Sequence, residues 1–338
     1  MAQHDADFPA FLEAMRGRRL LHLGHREADP DALGSAYAMS CVLPGDVGCA
    51  RGITTAARDL ADWLGMTPLI DPDPAAYDYV LLYDSINADL VGLPLPARYA
   101  LFDHHDVTGG HRYGSFDNEL ADGAEWCWLR PVESTCSLLA DLFIAHDVPI
   151  TGEMAVALAA GVVTDTGWLQ AADAAAFRRL AAILEVTDLY LEDIVGIVDS
   201  PGRRTARRSE VLTALRDVQE TQAGRWCILS VETDSDEHSR VLSDVLSRVG
   251  GDIRATACPK NGETKASVEC AGPLVTQTGV DLAGVMRQVA QDLDGLGTCA
   301  HTWGTQMLGR IVAPVDQREL LDLCVAATAR ALANCDGS

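Results

Sequence analysis

The 338-residue chain is 48% hydrophobic and sets 49 acidic residues against 26 basic ones. That composition excludes a disordered protein, and a length prior of about 100–200 residues per domain points to two domains. A net charge of −23 repels polyanions and argues against a protein that coats long double-stranded DNA.

Lys260 and Lys265 are the only lysines, and so acidic a surface suits concentrated salt, where screening shortens to a few ångströms. No apolar run reaches the roughly 18 residues of a membrane span. The first residues are acidic and lack the apolar stretch of a signal peptide. A cytoplasmic protein without membrane contact is therefore expected. The ten cysteines contain no C-x-x-C pair and are expected to be reduced, several of them as small core residues.

In chain order, residues 19–24 read as a buried strand and Asp31 to Leu43 as a helix. A short β segment precedes an amphipathic helix near 55–64, with Ala57, Leu60, Ala61 and Leu64 on one face. Tyr79 to Tyr83 forms a continuous apolar strand ending at Asp84, and Tyr99 to Phe102 another ending at Asp103. Runs this apolar fit a parallel sheet covered on both faces. Helices are expected at 133–146 and 152–163.

Residues 187–222 read as a connector, and its 203–208 stretch holds the only dense positive charge in the chain. The alternation then restarts: strand 226–231, helix 237–249, strands near 253–258 and 264–270, helix 281–293, strand 305–312 and helix 315–333. No internal repeat is visible. The expected organisation is an α/β protein with residues 1–198 as a parallel-sheet domain, 199–222 as a linker or hinge helix, and 223–338 as a smaller α/β domain.

Polar residues fall where ligand sites assemble in such sheets, just past the C-terminal ends of strands. His25, Asp29 and Asp31 lie within seven residues at the first strand-to-helix turn. Taken alone, that segment also reads as an Asp-rich turn with a helix cap. Asp84, the triplet Asp103-His104-His105, and Asp165 on a later loop bring the set to five carboxylates and three imidazoles. Adjacent carboxylates such as Asp29 and Asp31 do not both ionise cheaply without a compensating cation, and mixed imidazole and carboxylate donors suit hard first-row divalent ions.

With Gly34-Ser35 after the first cluster, the ordered motifs across residues 20–170 resemble those of the DHH phosphoesterase superfamily. Pro30 stands between the first two aspartates here rather than before them. The resemblance implies two Mn²⁺ ions, with Mg²⁺ or Co²⁺ as substitutes. It places His25, Asp29 and Asp84 on one ion, and Asp31, Asp84, His104 and Asp165 on the other, with Asp84 bridging. His105 would face the scissile phosphate, and Asp103 would orient the histidines from behind.

The second half resembles, more weakly, the smaller DHHA1 domain. The match runs through Gly250-Gly251, the strands carrying Arg254, Lys260 and Lys265, and the run Gly295 to Gly304 containing His301. Arg254, Lys260, Lys265 and His301 are the expected substrate-binding residues. Leu296, Thr298 and Cys299 interrupt the glycine run, and Glu269 stands where a substrate-binding arginine is usual. The resemblance implies hydrolysis of short nucleotide phosphoesters such as pAp, dinucleotides or oligoribonucleotides. The alternatives are a RecJ-type single-strand exonuclease and a binding module that kept the fold without catalysis. A homodimer is compatible with this reading.

Overall fold

The computed structural model describes residues 7–105, 118–199 and 201–335, with backbone alone for residues 201–206, 303, 334 and 335. The chain divides into two compact units, residues 1–201 and 202–338. The division falls inside the segment read as a connector, which is built of helices.

The first unit runs α1 (Phe8–Met15), β1 (Leu20–Leu23), α2 (Pro30–Val42), β2 (Gly45–Cys49), α3 (Thr55–Trp63), β3 (Leu69–Ile70), β4 (Tyr79–Tyr83), α4 (Ala88–Val91), β5 (Tyr99–Asp103), β6 (Trp126–Leu129), α5 (Thr135–Ala145), α6 (Gly152–Asp165), α7 (Ala174–Leu184) and α8 (Leu191–Val198). Its six strands pair in the order β3-β2-β1-β4-β5-β6, and every pairing is parallel.

Side chains alternate along each strand. Leu81, Tyr83, Ala100, Phe102 and Trp128 face the main core, which α2, α5 and α6 share. Leu21, Leu23, Val80, Leu82 and Leu101 face the opposite side, packed with Val91 of α4 and with Leu120. The strand order reverses between β1 and β4, the point at which open α/β sheets place a ligand crevice. His25 follows β1 and Asp84 follows β4.

The second unit follows with α9 (Pro201–Ala214), β7 (Gln219–Ala223), β8 (Trp226–Glu232), α10 (Asp236–Arg248), β9 (Ile253–Lys260), β10 (Glu263–Cys270), α11 (Gly272–Thr278), α12 (Leu282–Asp294), β11 (His301–Thr305), β12 (Leu308–Ala313) and α13 (Gln317–Cys335). The sheet order is β11-β12-β10-β9-β8-β7; β8 and β9 pair in parallel and the other neighbours antiparallel. One face carries Ile253, Ala255, Ala266, Val268 and Ile311 into a core with Leu282 and Met286 of α12 and Leu320 and Leu321 of α13.

The single strand expected at 305–312 is in fact the β11–β12 hairpin. Gly304 explains the tight turn. Its φ is 143°, and a Cβ there would collide with the Leu308 carbonyl oxygen, so only glycine lets the two strands close.

Candidate metal centre

Each site residue is placed by a local feature that its sequence dictates. Pro30 opens α2 at a position where its missing N–H costs nothing. Asp29 caps that helix, its Oδ1 accepting from the N–H groups of Asp31 (2.9 Å) and Ala32 (3.1 Å). Asp31 is fully buried, and the first turn of α5 grips it: Thr135 N–H donates to Oδ2 at 2.7 Å and Cys136 N–H to Oδ1 at 2.9 Å. A helix N-terminus is a natural seat for a carboxylate.

Asp84 leaves β4 with φ 54°, in the left-handed region that L residues avoid. Its N–H donates to the Phe102 carbonyl at 3.0 Å. Strain of this kind concentrates where a side chain must be aimed. Asp165 is the last residue of α6. It had been expected on a loop past a helix ending at 163, but the helix continues two residues further and carries the carboxylate at its end.

The side chains then converge on Asp84. His25 Nε2 lies 3.5 Å from Asp84 Oδ2 and 3.8 Å from Asp29 Oδ1. His104 Nε2 lies 3.3 Å from Asp84 Oδ1 and 3.4 Å from Asp165 Oδ2. His105 Nδ1 lies 3.5 Å from Asp84 Oδ1 and 2.7 Å from Asp103 Oδ1. Three groups of potential ligands result: His25, Asp29 and Asp84; Asp31, His104 and Asp165; and Asp84, Asp103, His104 and His105. Within each group the ligand atoms lie within 4.8 Å of one another. The first two reproduce the two-ion division, apart from the shared Asp84, and the third places His105 against the same aspartate.

Hydrogen bonding decides what these atoms can do. His25 Nδ1 meets the Arg26 carbonyl at 2.8 Å, and His104 Nδ1 meets the Val132 carbonyl at 3.1 Å. A carbonyl only accepts, so both Nδ1 atoms carry protons and both Nε2 atoms turn toward carboxylates. Among the described residues, the buried Asp84 Oδ1 and His104 Nε2 have no hydrogen-bond partner. His22 shows the contrast: its Nδ1 meets Tyr83 Oη at 2.9 Å and its Nε2 the Leu43 carbonyl at 2.8 Å, as befits a core histidine. Buried lone pairs facing one another call for a cation between them. The donor set fits a pair of hard divalent ions.

Electrostatics agree. Burial opposes charge on His25, yet Asp29 and Asp84 hold its imidazole up to about 10. Burial, with Asp84 and Asp29 adding repulsion, raises Asp31 to about 6. Burial also opposes the charge on Asp84, but His104, His105 and His25 hold it well below the usual carboxylate range. Protons are standing in for positive charge here.

Sequence reasoning missed several supports. Asn118 Nδ2 donates to Asp103 Oδ2 and, at 3.1 Å, to the Ser85 carbonyl, fixing the carboxylate that orients His105. Gly161 leaves room for Asp31: a Cβ on it would sit 2.7 Å from Asp31 Oδ1 and 2.3 Å from Cys136 Sγ.

The residues expected to bind substrate lie in the second unit. Lys265 is buried in an ion pair with Asp236. Arg254 lies 3.7 Å from Glu269, directly across the β9–β10 pair, and Ser243 Oγ also donates to Glu269, at 2.8 Å. Lys260 faces Glu263 in register, and His301 opens β11, exposed. In the 203–208 run, Arg207 meets Glu237 at 3.4 Å, while the side chains of Arg203 and Arg204 lie outside the described residues. Arg310, which sequence reasoning passed over, sits across from Ser267 on the neighbouring strand. Its buried Nε has no hydrogen-bond partner among the described residues, and burial pushes the guanidinium below its ordinary value.

No family model matches the chain. An uncharacterized protein of Methanocaldococcus jannaschii is 22% identical over 334 residues, spanning 93% of this chain and 95% of its own length. An exopolyphosphatase-related protein from Bacteroides fragilis has a similar structure, with TM-score 0.71, 14% identity, and coverage of 98% of this chain and 96% of that one. RecJ from Thermus thermophilus, in complex with Mn²⁺, matches with TM-score 0.51 and 17% identity over 98% of this chain and 55% of its own. This chain shares the fold of a solved DHH domain, with TM-score 0.51 and 12% identity over 95% of this chain and 88% of that one. In this chain His25, Asp84 and His104 stand past the carboxyl ends of β1, β4 and β5, and Asp165 meets them from the end of α6.

Proposed function

We propose that the protein is a metal-dependent phosphoesterase acting on short nucleotide substrates such as pAp, dinucleotides or oligoribonucleotides. The convergence of unsatisfied lone pairs on Asp84 carries this reading. Two Mn²⁺ ions are the assigned cofactors, one with His25, Asp29 and Asp84, the other with Asp31, Asp84, His104 and Asp165. When bound, such a pair neutralises phosphate charge and makes a water acidic enough to supply the nucleophile, so no side-chain nucleophile is needed.

The chain's own residues then have separable tasks. The α5 N-terminus and the α2 cap hold Asp31 and Asp29 before any ligand arrives, so little reorganisation accompanies binding. Asp103, itself held by Asn118, fixes the His105 ring, which we assign to a phosphate oxygen as a charge-assisted donor. In the second unit, Arg254, Lys260, Lys265 and His301 remain the proposed substrate-binding residues. The internal pairing of Lys265 and Arg254 leaves His301 and Lys260 as the more accessible of these.

The test is Mn²⁺-dependent turnover after chelator stripping, profiled on pAp, pApA, RNAs of two to ten nucleotides and bis-p-nitrophenyl phosphate in one high-salt buffer. Asp84→Asn should lower turnover by about 100-fold or more, since a shared ligand should matter more than the outer partners whose loss already costs 10–100-fold. Absence of turnover on every substrate with Mn²⁺, Mg²⁺ and Co²⁺, or an Asp84→Asn protein near wild-type rate, would reject the reading.

A further inference from the structure

The segment after Asp165 has a backbone that its side chains do not explain. Helix α6 ends at Asp165, and Gly167, Trp168 and Leu169 then take φ values of 57°, 59° and 67°. Glycine adopts this left-handed region freely, whereas a bulky residue there is an outlier and two in succession are rarer still.

The turn is nonetheless firmly built. Trp168 N–H donates to the Val163 carbonyl at 2.8 Å, and Ala171 N–H to the Thr166 carbonyl at 3.0 Å. Leu169 N–H donates to Thr166 Oγ1 at 3.2 Å. Leu169 packs against the main core, which accounts for its side chain. Trp168 has no such account, because it is 42% exposed. A glycine would fit this backbone better, and burial gives an indole so exposed only part of its usual return. Among the described residues, the other strongly exposed tryptophan, Trp63, lies in the regular backbone of α3.

Position suggests what the indole serves. Three residues of chain span at most about 11 Å, so the Trp168 backbone lies within that distance of Asp165 at the end of α6. A rigid turn that holds a flat, solvent-facing ring there suits a planar ligand, and an indole face stacks on any nucleobase. We propose that Trp168 is a stacking platform for a nucleobase next to the metal centre and determines specificity for nucleotides over phosphates that lack a base. The proposal rests on the phosphoesterase reading and names its substrate class.

Two ligands that differ only in the base isolate the effect. Binding of AMP and of ribose 5-phosphate to the full-length, Mn²⁺-loaded protein is measured by calorimetry, with tryptophan fluorescence as a second readout. The wild type should prefer AMP by about tenfold or more. Trp168→Ala should erase that preference while leaving ribose 5-phosphate affinity and metal content unchanged, and Trp168→Tyr should restore it. Trp168→Gly should melt no lower than the wild type, because it relieves the backbone. Equal wild-type affinity for the two ligands, a preference that survives Trp168→Ala, or a Trp168→Gly protein that fails to fold would overturn the proposal. Base preference without hydrolysis of any phosphoester would sink the phosphoesterase reading and leave this one standing.

Discussion

The two units bury charge in opposite ways. In the second, opposite charges meet one another within the chain: Lys265 pairs with Asp236, and Glu269 with Arg254 and with the Ser243 hydroxyl. In the first, acids and imidazoles crowd one another at 3.3–3.8 Å, and atoms such as Asp84 Oδ1 and His104 Nε2 are left without partners. Groups matched internally make a scaffold. Groups arranged to need something else make a site, since an unsatisfied buried polar atom is costly unless a ligand completes it.

The largest expected effect breaks the first unit's arrangement without touching a charged group. Gly161→Ala forces a Cβ against Asp31 Oδ1 and Cys136 Sγ. Metal content should fall from two ions per chain to one, with the ion on His25, Asp29 and Asp84 kept. Overpacking should also cost about 1–3 kcal/mol of stability. Metal analysis after dialysis decides it: two ions retained would mean that Asp31 is not held by this seam.

A change of pH sharpens the contrast by a smaller amount. In the metal-free protein the His25 imidazole, opposed by burial but held by Asp29 and Asp84, titrates near 10, above its unfolded value of about 6.5. Its contribution to stability is complete below about 6.5 and is lost as pH rises toward 10. Metal binding requires the neutral ring, so affinity rises over the same window. Metal-free melts should therefore fall between about pH 6.5 and 9.5, and the protection given by Mn²⁺ should grow. Parallel melting curves with and without metal would remove the assigned role of His25.

The smallest effect belongs to an exception in the second unit. Arg310 is half-buried, and its buried Nε has no hydrogen-bond partner among the described residues. Replacing such a charge by an apolar residue of similar length is often neutral or stabilising. Arg310→Met should thus leave the melting temperature unchanged or raise it by a few degrees, with metal content intact. A fall of many degrees would show that the guanidinium is as well matched as its neighbours.

These contrasts also explain what was legible beforehand. His25, Asp84 and Asp103 stood out because each follows or ends a run of apolar strand residues, and a polar side chain there needs a reason. Asp31 was legible as a residue at the start of a helix, whereas Asp165 was legible as a residue type but not in its setting, the end of a helix. Asn118 and the backbone of Thr135 and Cys136 could not be foreseen, because their roles arise from contacts between distant segments. The short edge strand β6, only partly buried at its ends, gave too little alternation to stand out. The β11–β12 hairpin was merged into one strand because its turn, Gln306-Met307, carries no glycine or proline, and the informative glycine precedes it. Arg310 was hidden by an apolar strand with a single charge, a pattern that ordinarily marks a solvent-facing position.

The grip of α5 on Asp31 joins residues 104 and 105 positions apart in the chain. A ribosome must therefore release β1 through α5 before that carboxylate finds its seat, and α6 must follow to bring Asp165. Contacts of such long range form late, after the loop between them has closed. On the proposed two-ion reading, metal capture at the Asp31 side would follow assembly of the sheet, so the ions would seal a finished structure instead of seeding it. An incomplete or misfolded copy would lack a seat for the second ion, and full metal loading would mark chains that have folded to the end.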